Sequence, residues 1–213
     1  MISKGREKAA ASLPPRERLL NSAAKLFYKE GVQAVGIERL LEDADTAKAS
    51  LYSNFGSKDA LVTAYLEREG LATVQKVEGR LAATPGSPRD KILKLFDMLN
   101  ERCGEKNFRG CPFQNAAAEI TDPKHPGRAV IEKQQEWMTE LLRGLVVAAG
   151  FSAQPLTGAL VALYSGAIAG AMVDSSGAGA KAARWAAERL LEDAARSGPP
   201  PRAASAPSTR SGS

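Results

Sequence analysis

A run of hydrogen-bonding side chains at helical spacing lies between residues 46 and 58. Leu51 and Phe55 are the only strong apolar anchors in this run, so a short helix here would add little to a core. Its hydroxyl, amide, phenol and ammonium groups are the types that donate to phosphates and to base edges. We therefore predict nucleic-acid contacts from Thr46, Lys48, Ser50, Tyr52, Ser53, Asn54 and Lys58.

Two helices joined by a tight turn would position these side chains. Ile37, Leu40 and Leu41 recur at helical spacing and predict a helix with one apolar face. The pattern breaks at residues 44–46, where Asp45 tolerates turn and left-handed conformations. Thr46 can cap a second, short helix over about residues 47–54.

The helices on either side complete this unit. Leu26 and Phe27 belong to the inner face of a helix that we expect to end at Gly31. Ser57 is a good N-cap for a longer helix over residues 58–83. We expect this longer helix to connect a small N-terminal head to a larger body.

A specific pattern of residues runs through residues 16–66. Its members are Ala24-Lys25-Leu26-Phe27, Gly31, Ile37, Leu41, Ala44, Lys48, Leu51-Tyr52, Phe55, Ser57-Lys58 and Leu61. In order and spacing this pattern resembles the DNA-binding domain of the TetR/AcrR family of transcriptional regulators. Asp45 stands where that family usually has Gly, and Asn54 where it usually has His. Asn54 gives up a phosphate contact usual in the family and adds an amide able to read adenine.

The resemblance implies an all-α protein with an N-terminal three-helix helix-turn-helix DNA-binding domain. A C-terminal helical ligand-binding and dimerisation domain would follow. The residue pattern predicts later helices over about 89–103, 112–119, 128–149, 153–174 and 180–196, with no strand. We expect a flexible basic arm at 1–13, the helix-turn-helix domain at 14–57, the effector-binding and dimerisation domain at 58–196, and a disordered tail at 197–213.

A seam of small residues recurs at every fourth position late in the chain. Its members are Gly158, Ala162, Gly166 and Gly170. Small residues let two helices approach closely, so we predict a helix–helix interface, with burial inside the same subunit as the alternative. The resemblance implies that the last two helices pair with those of a second copy to form a homodimer, and Trp185 and Leu190 would supply the bulk that the seam lacks.

Apolar side chains interleaved with a few polar groups in the predicted body are typical of a ligand cavity. The predicted lining is Phe96, Met98, Phe113, Asn115, Glu119, Gln134, Trp137, Met138, Leu141, Tyr164 and Ile168. No cluster of Lys or Arg accompanies these residues in the sequence. We therefore expect a small hydrophobic effector, neutral or cationic, with Glu119 as counter-charge and Trp137 as a stacking wall.

Composition narrows the class of protein. The chain has 213 residues, 44% of them hydrophobic and 25% charged, and a net charge of +5, which suits a soluble, mildly basic protein. Residues 1–11 lack the apolar core of a signal peptide, so we expect a cytoplasmic protein. Residues 151–173 carry no charge, but their many Gly and Ala residues argue against a membrane span. We find no metal spacing, no cofactor fingerprint and no catalytic constellation.

The leading hypothesis is a dimeric repressor that a small ligand releases from operator DNA. Its two heads would enter successive major grooves roughly 34–36 Å apart. One alternative keeps the fold and makes oxidation of Cys103 and Cys111 the trigger. A second alternative, of another class, is a helical enzyme or scaffold in which the motif is fortuitous.

Overall fold

The computed structural model describes residues 13–174 and 176–197, and this part of the chain is helical, with no strand. The all-α prediction is confirmed. The helices are α1 (Pro15–Glu30), α2 (Ile37–Ala44), α3 (Lys48–Phe55), α4 (Lys58–Ala82), α5 (Pro88–Cys103), α6 (Pro112–Glu119), α7 (Gly127–Ala148), α8 (Leu156–Val173) and α9 (Ala178–Arg196). Except for Leu13 and Ser197, the predicted N-terminal arm and C-terminal tail lie outside the described residues.

Local capping explains where several helices begin. The Ser57 hydroxyl accepts a hydrogen bond from the Ala60 amide at 3.0 Å, which confirms the predicted start of α4. At the start of α5, Ser87 and Asp90 form a reciprocal capping box, and the hydrogen bonds from Ser87 lower the pKa of the Asp90 carboxyl. Proline occupies the first turn of α1, α5 and α6, where the missing amide hydrogen has no cost.

The turn between α2 and α3 corrects one expectation. Asp45 adopts the left-handed conformation (φ 48°, ψ 54°), and its amide donates to the Glu42 carbonyl. The Thr46 amide donates to the Leu41 carbonyl at 3.1 Å, which completes a Schellman motif. Thr46 thus terminates α2, and the N-cap of α3 is Ala47, without a side-chain hydrogen bond. The prediction that Thr46 caps α3 is wrong.

One core holds the N-terminal head together. It joins apolar residues of α1, α2 and α3 to the first half of α4, with Phe27 and Tyr65 packed edge to face at 5.6 Å between ring centroids. Phe113 and Ala116 of α6, and Ile120 directly after it, belong to the same core. Packing therefore does not divide the molecule at residue 57, because α4 and α6 serve both the head and the body.

A second core lies among the end of α4 and helices α5, α7, α8 and α9. Helix α8 contributes Leu160, Ala167 and Ile168 to it. By length and composition α8 could cross a membrane, and 33% of it is buried within the chain. Its other face, which carries the small-residue seam, is exposed.

Candidate DNA-binding surface and cavity

Helix α3 is anchored to the head core by Leu51, with partly buried Phe55 packed against the same core. Leu51 is fully buried in the head core and is the only buried residue of α3. Tyr52 is 46% exposed, and Lys48, Ser53 and Asn54 are also exposed. The helix thus presents most of its predicted contact residues to solvent on a rigid support.

Several of these side chains have partners within the protein. The Asn54 amide donates to the Ser50 carbonyl at 2.7 Å, and the Ser53 hydroxyl donates to the same carbonyl at 3.2 Å. Lys48 lies 3.5 Å from the Glu38 carboxylate in an exposed pair, which contributes little to stability. An adenine contact from Asn54 would require its amide to leave its own helix.

Lys58 and Thr46 lie beside the short helix. The Lys58 ammonium donates to the Gln33 carbonyl at 3.4 Å, and partial burial lowers its pKa, opposed by the charges of Asp59 and Glu119. The Thr46 hydroxyl oxygen is buried and has no hydrogen-bond partner among the described residues. Lys58 is therefore placed in the first turn of α4, whereas the Thr46 hydroxyl faces inward.

A cavity of about 450 Å³ opens in the body between α4, α5, α6, α7 and α8. Among the predicted lining residues, its walls contain Phe113, Gln134, Met138, Tyr164 and Ile168. The walls also contain Thr73, Leu99, Arg102, Phe108, Gly110, Cys111, Pro112, Gln114, Ala117, Arg128, Ile131, Glu132, Gln135, Glu136 and Ser165.

Four apolar side chains of the predicted lining lie outside the cavity. Phe96 and Met98 are buried in the body core, and Phe96 supports the Tyr164 ring edge to face at 5.8 Å. Trp137 and Leu141 pack against the same core, and the Trp137 indole donates to Glu78 at 3.4 Å. One residue along a helix turns the side chain by about 100°, so Gln134 and Met138 reach the cavity while Trp137 and Leu141 do not.

Two polar residues of the predicted lining are also elsewhere. The Asn115 amide donates to the Arg109 carbonyl at 2.7 Å and holds the loop before α6. The Glu119 carboxylate accepts a hydrogen bond from the Gln33 amide at 2.8 Å, in the head. Glu119 therefore joins α6 to the α1–α2 loop and is not the counter-charge of the cavity.

Sequence reasoning missed two arginines in the cavity wall. Arg128 donates to the carbonyls of Ala117 and Ile120 at 3.3 and 3.4 Å, where α6 ends. The Arg102 guanidinium has no hydrogen bond or ion pair within residues 13–174 and 176–197. The two arginines lie on α5 and α7, so no local pattern in the sequence brings them together.

The exposed faces of α8 and α9 form a shallow groove of about 850 Å³. Its walls include Ala162, Gly166, Trp185 and Leu190, and Trp185 is 63% exposed. Gly158, Ala162, Gly166 and Gly170 are all exposed, which overturns the alternative that the seam is buried in its own subunit. A Cβ atom built on Gly166 or Gly170 would meet nothing within 4 Å.

Comparison with known proteins places these features in a family. Residues 19–65 match the family model for bacterial regulatory proteins of the tetR family. The chain is 32% identical over 128 residues to the HTH-type transcriptional repressor NemR of Escherichia coli. That match spans 60% of this chain and 64% of NemR, less than two thirds of the relative's length. These relatives are transcriptional regulators and not enzymes.

Solved structures cover more of the chain. A TetR-family regulator from Streptomyces coelicolor superposes with a TM-score of 0.79 at 28% identity, covering 84% of this chain and 95% of that protein. A tetR-type regulator from Streptomyces avermitilis superposes with a TM-score of 0.77 at 30% identity, covering 86% of this chain and 99% of that protein. The reduced form of Escherichia coli NemR superposes with a TM-score of 0.75 at 26% identity, covering 82% of this chain and 95% of that protein.

Proposed function

Because this chain belongs to the TetR family of transcriptional regulators, we propose that it represses transcription by binding operator DNA as a homodimer. A small, largely hydrophobic effector in the body cavity would release it from the operator. The single observation that carries this proposal is the exposed polar face of α3, a helix in which Leu51 is the only fully buried residue. The name of NemR, an HTH-type transcriptional repressor, supports repression, and a repressor of bacterial transcription would act in the cytoplasm.

The chemistry of α3 supports binding in a major groove. Lys48 and Tyr52 project from the exposed side of the helix, and Lys58 lies in the first turn of α4. Free backbone amides at that helix start favour a phosphate, and the ammonium adds a charge-assisted hydrogen bond. In this arrangement Lys58 positions the head on the backbone while α3 reads base edges.

The α8–α9 groove supports a homodimer. An exposed tryptophan beside a groove of glycine and alanine would leave apolar area in water in a single copy. A second copy would place its Trp185 and Leu190 against the seam of the first and bury both. Two-fold pairing would also give the two heads the fixed separation that a palindromic operator requires.

Helix α6 supports a link between the cavity and the head. Phe113 and Ala117 line the cavity. The Tyr28 hydroxyl of α1 donates to the Gly110 carbonyl at 3.2 Å and accepts from the Arg109 amide at 2.9 Å, just before α6. Together with the Glu119–Gln33 hydrogen bond, these contacts tie α1 and the α1–α2 loop to the two ends of α6. An effector that shifts α6 would therefore change the position of the head and favour a state with weaker DNA binding.

Binding to DNA selected by the full chain from a random duplex pool tests the proposal. Tyr52→Ala should weaken binding to the selected duplex by about 10- to 100-fold, the effect of losing one strong polar contact. Its melting temperature should stay unchanged because Tyr52 is largely outside the core.

Leu71→Ala is the matched control, since it truncates a side chain of α4 that is 61% exposed and lies outside the predicted DNA contacts. It should leave DNA affinity unchanged. Failure to enrich any sequence, or equal affinity of Tyr52→Ala and the unmodified protein at one salt concentration, would contradict the proposal.

Cys111 favours the thiol alternative as a second candidate. Its side chain lines the cavity beside α6, whereas Cys103 is buried and burial raises the pKa of its thiol. A thiol trigger would thus act through Cys111 and not through the poorly ionised Cys103. Under this alternative, peroxide should release the selected duplex from the unmodified protein and from Cys103→Ser, but not from Cys111→Ser.

A further inference from the structure

The cavity wall holds one charged group that forms no ion pair with any residue the structure describes. Leu99, Phe108, Phe113 and Ile168 make much of this wall apolar. Arg102 projects from α5 into the same wall, and no carboxylate in residues 13–174 and 176–197 lies within ion-pairing distance of it. An arginine half-buried beside apolar side chains is normally paired, because desolvating a lone charge is costly.

The other charged residues of the cavity leave Arg102 without a competitor. Arg128 already donates hydrogen bonds to two carbonyls at the end of α6. Glu132 and Glu136 of α7 also line the cavity, but both are exposed and neither forms an ion pair with Arg102. Water can solvate these two carboxylates, so they do not set the charge of the enclosed part of the wall.

A second hydrogen-bond donor lies near Arg102. Tyr164 lines the cavity, and its hydroxyl has no hydrogen-bond partner within the described chain. Burial raises the pKa of Tyr164 to about 12, and the positive charge of Arg102 acts on it in the opposite direction. The phenol is therefore neutral at physiological pH and can donate to an anion.

We infer that the cavity takes an amphipathic monocarboxylate, whose acid group pairs with Arg102 and Tyr164 while its apolar part lies against Phe108, Phe113 and Ile168. A planar guanidinium binds a carboxylate through two parallel hydrogen bonds, which suits this ligand class. This inference rests on the proposed function for its biological meaning, and it replaces the expectation of a neutral or cationic effector. A cationic ligand would place a second positive charge beside Arg102.

Calorimetric titration of the full chain with matched acids and amides tests this inference. The probes are octanoate, 4-phenylbutyrate and 2-naphthoate, each compared with its own carboxamide, and 2-naphthylmethylammonium as the cation. At least one acid should bind about tenfold more tightly than its amide. For that acid, Arg102→Gln should lower affinity by about 10- to 100-fold and leave amide binding within a few-fold.

Arg109→Gln is the matched control, because it removes the same charge from an exposed position near the cavity but outside its lining. It should leave acid affinity unchanged. If no acid binds more tightly than its amide, if the cation binds most tightly, or if Arg102→Gln binds the acid normally, the inference is wrong.

Operator binding without ligand distinguishes this inference from the proposed function. Arg102→Gln lies outside the DNA surface and should bind the selected duplex as the unmodified protein does. A chain that binds acids through Arg102 but no DNA would refute the proposed function and keep the site. A protein that binds DNA but binds the amides more tightly than the acids would refute this inference and keep the proposed function.

Discussion

Lys58 combines two roles at the scale of a single residue. Its ammonium lies 3.4 Å from the Gln33 carbonyl in the free protein, and partial burial lowers its pKa. The negative charges of Asp59 and Glu119 oppose this effect of burial on the Lys58 pKa. The long hydrogen bond to Gln33 is weak, so a DNA phosphate can replace it at little cost.

Lys58→Ala should weaken binding to specific and unrelated duplexes alike. Losing one phosphate contact per head should reduce the slope of log K against log salt by about 0.9 per contact. Fluorescence anisotropy at several salt concentrations measures both quantities. Lys76→Ala, an exposed lysine of α4, should keep the full slope. A changed sequence preference would instead mean that Lys58 reads bases.

The turn between α2 and α3 decides how a whole element is presented. Asp45 has the only positive φ of any non-glycine residue in the described chain, and it occupies the position where glycine has no steric cost. The Asp45 carboxylate lies 3.4 Å from the Arg18 guanidinium, and the Asp45 side chain is 96% exposed. Such an exposed ion pair contributes little to the stability of the turn. The Schellman hydrogen bonds that end α2 therefore hold Asp45 in a strained conformation.

Asp45→Gly should be more stable than Asp45→Ala by about 1 kcal/mol in urea unfolding. Both changes remove the carboxylate and the Arg18 pair, but only glycine accepts the left-handed conformation without strain. The alanine variant thus serves as the matched control. Equal stability of the two variants would show that the turn is not strained.

At the scale of the whole molecule, the seam on α8 should decide the oligomeric state. A Cβ atom added at Gly166 meets nothing within 4 Å in one copy, so we expect Gly166→Leu to fold normally. It should still prevent close approach of a second copy and cost the dimer a few kcal/mol, as overpacking does. Sedimentation should show monomers, and affinity for a two-site operator should fall with dimer content.

Gly144→Leu is the control for this change. Gly144 lies on the exposed face of α7, where an added Cβ atom also meets nothing within 4 Å. This variant should remain dimeric and bind DNA normally. A dimeric Gly166→Leu protein would place the interface on another surface.

Local physical chemistry was enough to predict much of this protein from its sequence. Prolines, serine caps and terminal glycines set helix boundaries within a few residues, because capping depends on groups close in the chain. The order and spacing of Lys48, Leu51-Tyr52, Phe55 and Lys58 carried the resemblance to the TetR/AcrR family, because these residues all lie within one short stretch of the chain. The outward face of the α8 seam followed from its four-residue repeat of small side chains.

Only the tertiary structure decided what surrounds the cavity and how it meets the head. Arg102 and Tyr164 are distant in sequence, and Glu119 reaches Gln33 across 86 residues. Such contacts depend on how whole helices rotate and pack, and a turn of about 100° per residue separates a lining side chain from its neighbour. The sequence therefore predicted a cavity in the body, whereas its charge and its connection to α1 required the packed helices.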